Sequence, residues 1–198
     1  MNDTMLPTLS FDCADNELLR LSTMLQSGFI ETGRQGDSIL SFLLSLDGFT
    51  ESYIENEVQT VFYNGDALDD VETELAGKTA AIALGSAMPG LAGAIMRKGS
   101  ICGAFRKKRT VVDMKSSGEP VTVRVKLFNS VARERGPQLL SRGLKIDGKD
   151  LLYFLKQRPL LITALKNIRF DGQAVQPDDL LDMLTSCDRI LVKARNNE

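Results

Sequence analysis

Histidine and tryptophan are both absent from the 198 residues. Without an imidazole, Ser-His-Asp triads, Cys-His dyads, histidine general bases and most zinc sites are excluded. Catalysis would have to rest on carboxylates, lysine, serine or a bound cofactor; no catalytic residue, metal site or cofactor is expected. Cysteine is scarce: Cys13, Cys102 and Cys187 are odd in number and far apart. That argues against a disulfide framework or a CxxC metal site, and structural thiols are expected. No export signal is expected, because the opening "MNDTMLPTLSFDCADNELL" is acidic and interrupted rather than basic and apolar. The expected location is the cytoplasm.

The net charge of -2 conceals an uneven distribution. Residues 1–96 hold three Lys and Arg against fifteen Asp and Glu, a net of -12, whereas residues 97–198 hold twenty-one against eleven, a net of +10. Two oppositely charged domains that attract each other, within one chain or head to tail between chains, are the preferred reading. A basic domain kept for an anionic partner is the other.

The longest apolar stretch ends in "ALGSAMPGLAGAIMRKG", Ala83 to Gly99. From Thr79 to Met96 it runs eighteen residues without a charge, broken four times by Gly or Pro. A membrane span needs about 20 predominantly apolar residues, and no membrane insertion is expected. Gly85 and Gly90 have the spacing of a phosphate loop, but Leu91 and Ala92 replace its lysine and hydroxyl. The stretch therefore reads as a buried strand, Thr79 to Leu84, followed by an apolar strap. An exposed strap of this kind favours aggregation, so burial at an interface is expected, with Met88, Pro89, Gly90, Leu91, Gly93 and Ile95 as the partner-facing residues. The following "RKGSICGAFRKKR" carries six cations in thirteen residues. Arg97, Lys98, Arg106, Lys107, Lys108 and Arg109 are the candidates for anion binding.

Periodicity supplies the elements. Asp37 is placed as the cap of a helix over "SILSFLLSL", and "ELLRLSTML" (17–25) is read as a strand, with a short helix as the alternative. An alternating run ends at Asn64-Gly65, a strong hairpin signal. Val121, Val123, Val125 and Leu127 alternate with polar residues as a strand. Asp150 caps "LLYFLKQ", and Pro177 opens "PDDLLDMLTS". "GPQLL" is read as a turn.

The order recurs. Asn64-Gly65 matches Asp171-Gly172, Asp69-Asp70 matches Asp178-Asp179, and Ile82 and Leu84 match Ile190 and Val192; residues 38–43 match 150–155. Adjacent acids after a turn suit a helix start better than a metal. The reading is α+β: two tandem units of one small folding pattern, each a small mixed sheet crossed by one helix, over 1–96 and 120–198, joined by a basic Gly/Ser-containing linker over 97–119.

Phe62-Tyr63-Asn64-Gly65, Leu75, Gly77 and Ile82-Ala83-Leu84, with Leu184 and Asp188-Arg189-Ile190-Leu191-Val192 in the second unit, resemble the ubiquitin-like β-grasp sulfur carriers of molybdopterin and thiamine biosynthesis. Lys78 stands where an acid is usual, and Cys187 replaces a glycine. The resemblance implies tandem ubiquitin-like β-grasp units. In that family a C-terminal Gly-Gly tail is adenylated by an E1-like enzyme and turned into a thiocarboxylate. This chain closes on "KARNNE", so carrier chemistry is expected only after cleavage near Gly90 or Gly93. The expected function is a non-catalytic interaction or scaffold module that self-associates. A sulfur-carrier-related protein partnered by an adenylating enzyme is the alternative, and an anion or nucleic-acid binder using the basic half is the third.

Overall fold

The computed structural model describes residues 6–102 and 118–196. Among them the chain forms ten strands and eight α-helices, an α+β fold. They group into two compact units, one made of residues 1–30 with 136–198 and the other of residues 31–135. These are not the expected halves 1–96 and 120–198. The chain passes from one unit to the other within β2 (Phe29–Arg34), and returns within α5 (Asn129–Arg142) at Gly136-Pro137. Proline cannot donate there, so one rung of the helical ladder is missing.

In the unit 31–135, α2 (Ile39–Leu44) is capped by Ser38, whose hydroxyl accepts from the Ser41 amide at 3.1 Å. The cap thus falls one residue beyond Asp37. Thr50 caps α3 (Glu51–Asn56) in the same way. The hairpin of β3 (Thr60–Tyr63) and β4 (Asp66–Leu68) turns through Asn64 and Gly65 at φ of 51° and 91°. Both values are positive, as a two-residue turn matched to strand twist requires. After β5 (Thr79–Gly85) and α4 (Gly90–Met96) comes β6 (Pro120–Leu127). The strand order is β4-β3-β5-β6, with β2 beside β6. β3 runs antiparallel to β5, and β5 runs parallel to β6, from Thr79 opposite Thr122 to Leu84 opposite Leu127. The core alternates along both central strands: Ile82, Leu84, Val123, Val125 and Leu127 are fully buried.

In the other unit, β1 (Thr8–Cys13) precedes α1 (Asp15–Ser22) and a 3-10 turn, Thr23–Gln26. The strand expected over 17–25 is therefore helical. Leu18, Leu21 and Leu25 are buried at a helical spacing while Leu19 faces outward, 43% exposed, and this period decides the matter. The turn read at "GPQLL" lies inside α5. Beyond it are β7 (Leu144–Asp147), α6 (Gly148–Lys156), α7 (Pro159–Ala164), β8 (Lys166–Phe170), β9 (Gln173–Ala174), α8 (Pro177–Thr185) and β10 (Arg189–Asn196). Asp147, rather than Asp150, occupies the cap position of α6. The strand order is β7-β10-β1-β8-β9. β1 lies parallel to β10 and antiparallel to β8. Asp171 and Gly172 repeat the turn of Asn64 and Gly65, at φ of 49° and 81°.

The matched positions agree in burial: Ile82, Leu84, Ile190 and Val192 are all at 0% exposure. Asp178 and Asp179 open α8, but Asp69 and Asp70 precede only a turn. β5 pairs in parallel with β6, which comes from the stretch expected as the second unit, and β10 pairs in parallel with β1, from the stretch expected as the first. The strand pairing differs as well: β3 pairs with β5, whereas β8 pairs with β1.

Candidate functional site

The strap leaves β5 and folds back onto its own unit. Gln59 N donates to Gly85 O at 3.0 Å, and Lys98 N donates to Gln59 O at 2.8 Å. The Lys98 ammonium reaches Ile54 O at 2.9 Å, and Gly99 N donates to Asp69 Oδ1 at 2.8 Å. Burial lowers the Lys98 pKa, with Glu55 opposing the shift. Lys98, expected to bind anions, is therefore committed to a backbone carbonyl. Arg97 is exposed, and Arg106, Lys107, Lys108 and Arg109 lie outside the described residues.

The six expected partner-facing residues separate by direction. Gly93 is buried against the preceding turn, where an added Cβ would lie 1.9 Å from the Met88 carbonyl oxygen. Met88 and Ile95 are half-buried; Pro89 and Gly90 are exposed. Leu91 is 72% exposed, and Ile101, beyond the helix, is 97% exposed. The strap is thus helical over 90–96 and, in the single chain, presents apolar side chains outward.

Two recesses lie in the unit 1–30 with 136–198. One, of about 630 Å³, is lined by Leu6, Pro7, Phe170, Ser186, Cys187, Asp188 and Arg189. Its thiol donates to Met183 O at 3.4 Å, and desolvation is the main cause that raises its pKa. Both effects disfavour the thiolate a nucleophile needs. Arg189 Nε is 3.5 Å from Asp147 Oδ1.

The second recess, of about 490 Å³, is polar, lined by Ser10, Phe11, Asp12, Asn167, Arg169 and Arg195. It stands on the face of β1 away from the core, since Leu9, Phe11 and Cys13 are buried at 0%, 2% and 1% exposure. Ser10 is opposite Lys193 on one side and Arg169 on the other; Asp12 is opposite Arg195 and Lys166. The β1–β8 register shifts between Ser10 and Asp12, and Asn167 adopts φ of 50°. Asn167 Nδ2 donates to Asp12 Oδ2 at 2.6 Å, and Arg169 donates to Gly172 O at 3.1 Å. Sequence reading missed these residues because 155 positions separate Asp12 from Asn167. The alternation in "TLSFDC" was the available signal for a strand with a polar face.

Among the described residues, no group of three or more His, Cys, Asp or Glu could hold a metal ion. No helix there is long and apolar enough to cross a membrane. Comparison with family models, curated proteins and solved structures returns no match.

Proposed function

We propose that this chain is a non-catalytic interaction protein built from two β-grasp units that have exchanged their first strands, and that the outward face of α4 is where it meets a protein partner, in the first instance another copy of itself. A mixed sheet built from hairpins needs one parallel pair, because hairpin strands run antiparallel. The parallel β5/β6 pair supports that plan in the unit 31–135.

The observation that carries the binding surface is Leu91, 72% exposed on a segment tied down by the hydrogen bonds of Lys98 and Gly99. A large apolar side chain held outward on a fixed base suits an interface. Charge supports it less than the half-chain totals suggest. The span 31–135 holds thirteen Lys and Arg against fourteen Asp and Glu, and the remainder holds eleven against twelve. Each span is therefore net -1.

Light scattering coupled to gel filtration across a salt series tests this reading. The assembly mass is expected to persist at high salt and to fall to 21.8 kDa in Leu91→Asp, with circular dichroism unchanged. Dissociation by salt, or a variant that assembles normally, contradicts it.

A second reading is a processed sulfur carrier acting with an adenylating enzyme. It is favoured by Gly90, which lies beyond β5, is exposed, and has φ of 80° with nothing within 4 Å of an added Cβ. Intact mass from the native host distinguishes the two. A species ending at Gly90 supports processing, and a full-length chain as the only species removes it.

A further inference from the structure

We propose that the polar recess beside β1 binds a phosphate monoester of a small hydroxyl-bearing molecule, with Arg169, Arg195 and Ser10 holding the phosphate and Asp12 accepting a hydroxyl of the same ligand. Ser10, Arg169 and Lys193 lie side by side across three strands, as do Asp12 and Arg195 in the adjacent row. Neighbouring residues at the same register project from the same face. Cations thus flank β1 on both sides.

Among the described residues, neither arginine is paired with a carboxylate. The Asp12 carboxylate is held by the Asn167 amide at 2.6 Å, and Arg169 spends one amino group on Gly172 O. That bond fixes the Arg169 guanidinium at the β8–β9 turn and leaves its other donors available. A guanidinium presents paired donors that match phosphate oxygens, and the Ser10 hydroxyl adds another. A concave site with an excess of positive charge also concentrates anions.

Asp12 has a second role. Its carboxylate carries more acceptor sites than the single Asn167 bond uses, so it can take a ligand O–H while disfavouring an anion placed directly on it. The recess therefore selects a molecule with a phosphate at one end and a hydroxyl near it. Its volume of about 490 Å³ lies in the range of small-molecule sites.

Isothermal titration calorimetry of the full chain tests this with ribose 5-phosphate, inorganic phosphate, ribose and a single-stranded oligonucleotide. Ribose 5-phosphate is expected to bind at least tenfold more tightly than inorganic phosphate or ribose. Arg169→Gln and Arg195→Gln should each weaken it at least tenfold with an unchanged melting temperature. Asp12→Asn should remove the advantage over inorganic phosphate while leaving phosphate binding in place. No heat with ribose 5-phosphate, binding indifferent to both arginine variants, or binding of the oligonucleotide alone would each overturn the proposal.

Discussion

Ile82 and Val125 stand directly opposite each other in the parallel pair of β5 and β6, and both are fully buried. They lie on either side of residues 97–119, in the two stretches expected to form separate units. Their pairing places β6 in the core of the unit 31–135. The β5–β6 pairing on which the proposed strand exchange rests thus involves side-chain packing as well as backbone pairing.

Substituting both partners measures that packing. Ile82→Val should cost about 0.5–1.5 kcal/mol, and Val125→Ala, which removes two methyl groups rather than one, about twice as much. Residues in contact are non-additive, with couplings of at least about 0.5 kcal/mol. A double-mutant cycle by urea denaturation should show such a coupling. Strict additivity would contradict the contact.

Much of the local structure was legible. The turns at Asn64-Gly65 and Asp171-Gly172, the β-period of Val121 to Leu127 and the helix opened by Pro177 each carry a signal within a few residues. Other elements depended on more. The run around Leu18 to Leu25 is short enough to suit a strand or a helix until burial distinguishes Leu19 from its neighbours. Gly136-Pro137 reads as a break, yet lies inside α5. The partners of β1 and β6 have no local signature, because either strand would satisfy an alternating pattern beside another partner. The polar recess was hidden for the same reason: strand register assembles it from distant residues.

Gly93 and Gly90 should respond differently to alanine. At Gly93 the added Cβ would lie 1.9 Å from backbone, so α4 must shift, and amide exchange over 86–96 should rise sharply. Gly90 has φ of 80° but open space around it, so Gly90→Ala should cost only about 1–2 kcal/mol of backbone strain. Equal exchange profiles in the two variants would contradict the packing described for the strap.

Tyr53 ties α3 to α5. Its hydroxyl donates to Glu134 Oε2 at 2.8 Å, and the Arg135 guanidinium lies 3.5 Å from its ring centroid. Burial, followed by the Glu134 hydrogen bond and charge, raises the phenol pKa. Tyr53→Phe retains the ring and should lose about 1 kcal/mol; Tyr53→Ala also removes the edge contact with Phe49 and should lose about 3–5 kcal/mol. Chemical denaturation of both variants checks the difference.

The Cys13 thiol is pushed up to about 11 from an ordinary 9.0, first by burial and then by Glu17, Asp12 and Asp15. The native state therefore retains a proton that the unfolded chain releases. Its contribution to stability is complete below pH 9.0 and declines as pH rises toward about 11. Cys13→Ala should flatten the fall in stability across that window. An unchanged slope would contradict the assignment.

The most direct test of the proposed strand exchange is to express residues 118–198 alone and record a nitrogen–proton correlation spectrum. Without β1 beside β10 and β8, the fragment should give the collapsed spectrum and non-cooperative melt of an unfolded chain, and residues 1–102 added in trans should restore dispersed signals. A fragment that folds cooperatively by itself, with dispersed signals and no need of residues 1–102, would contradict the account.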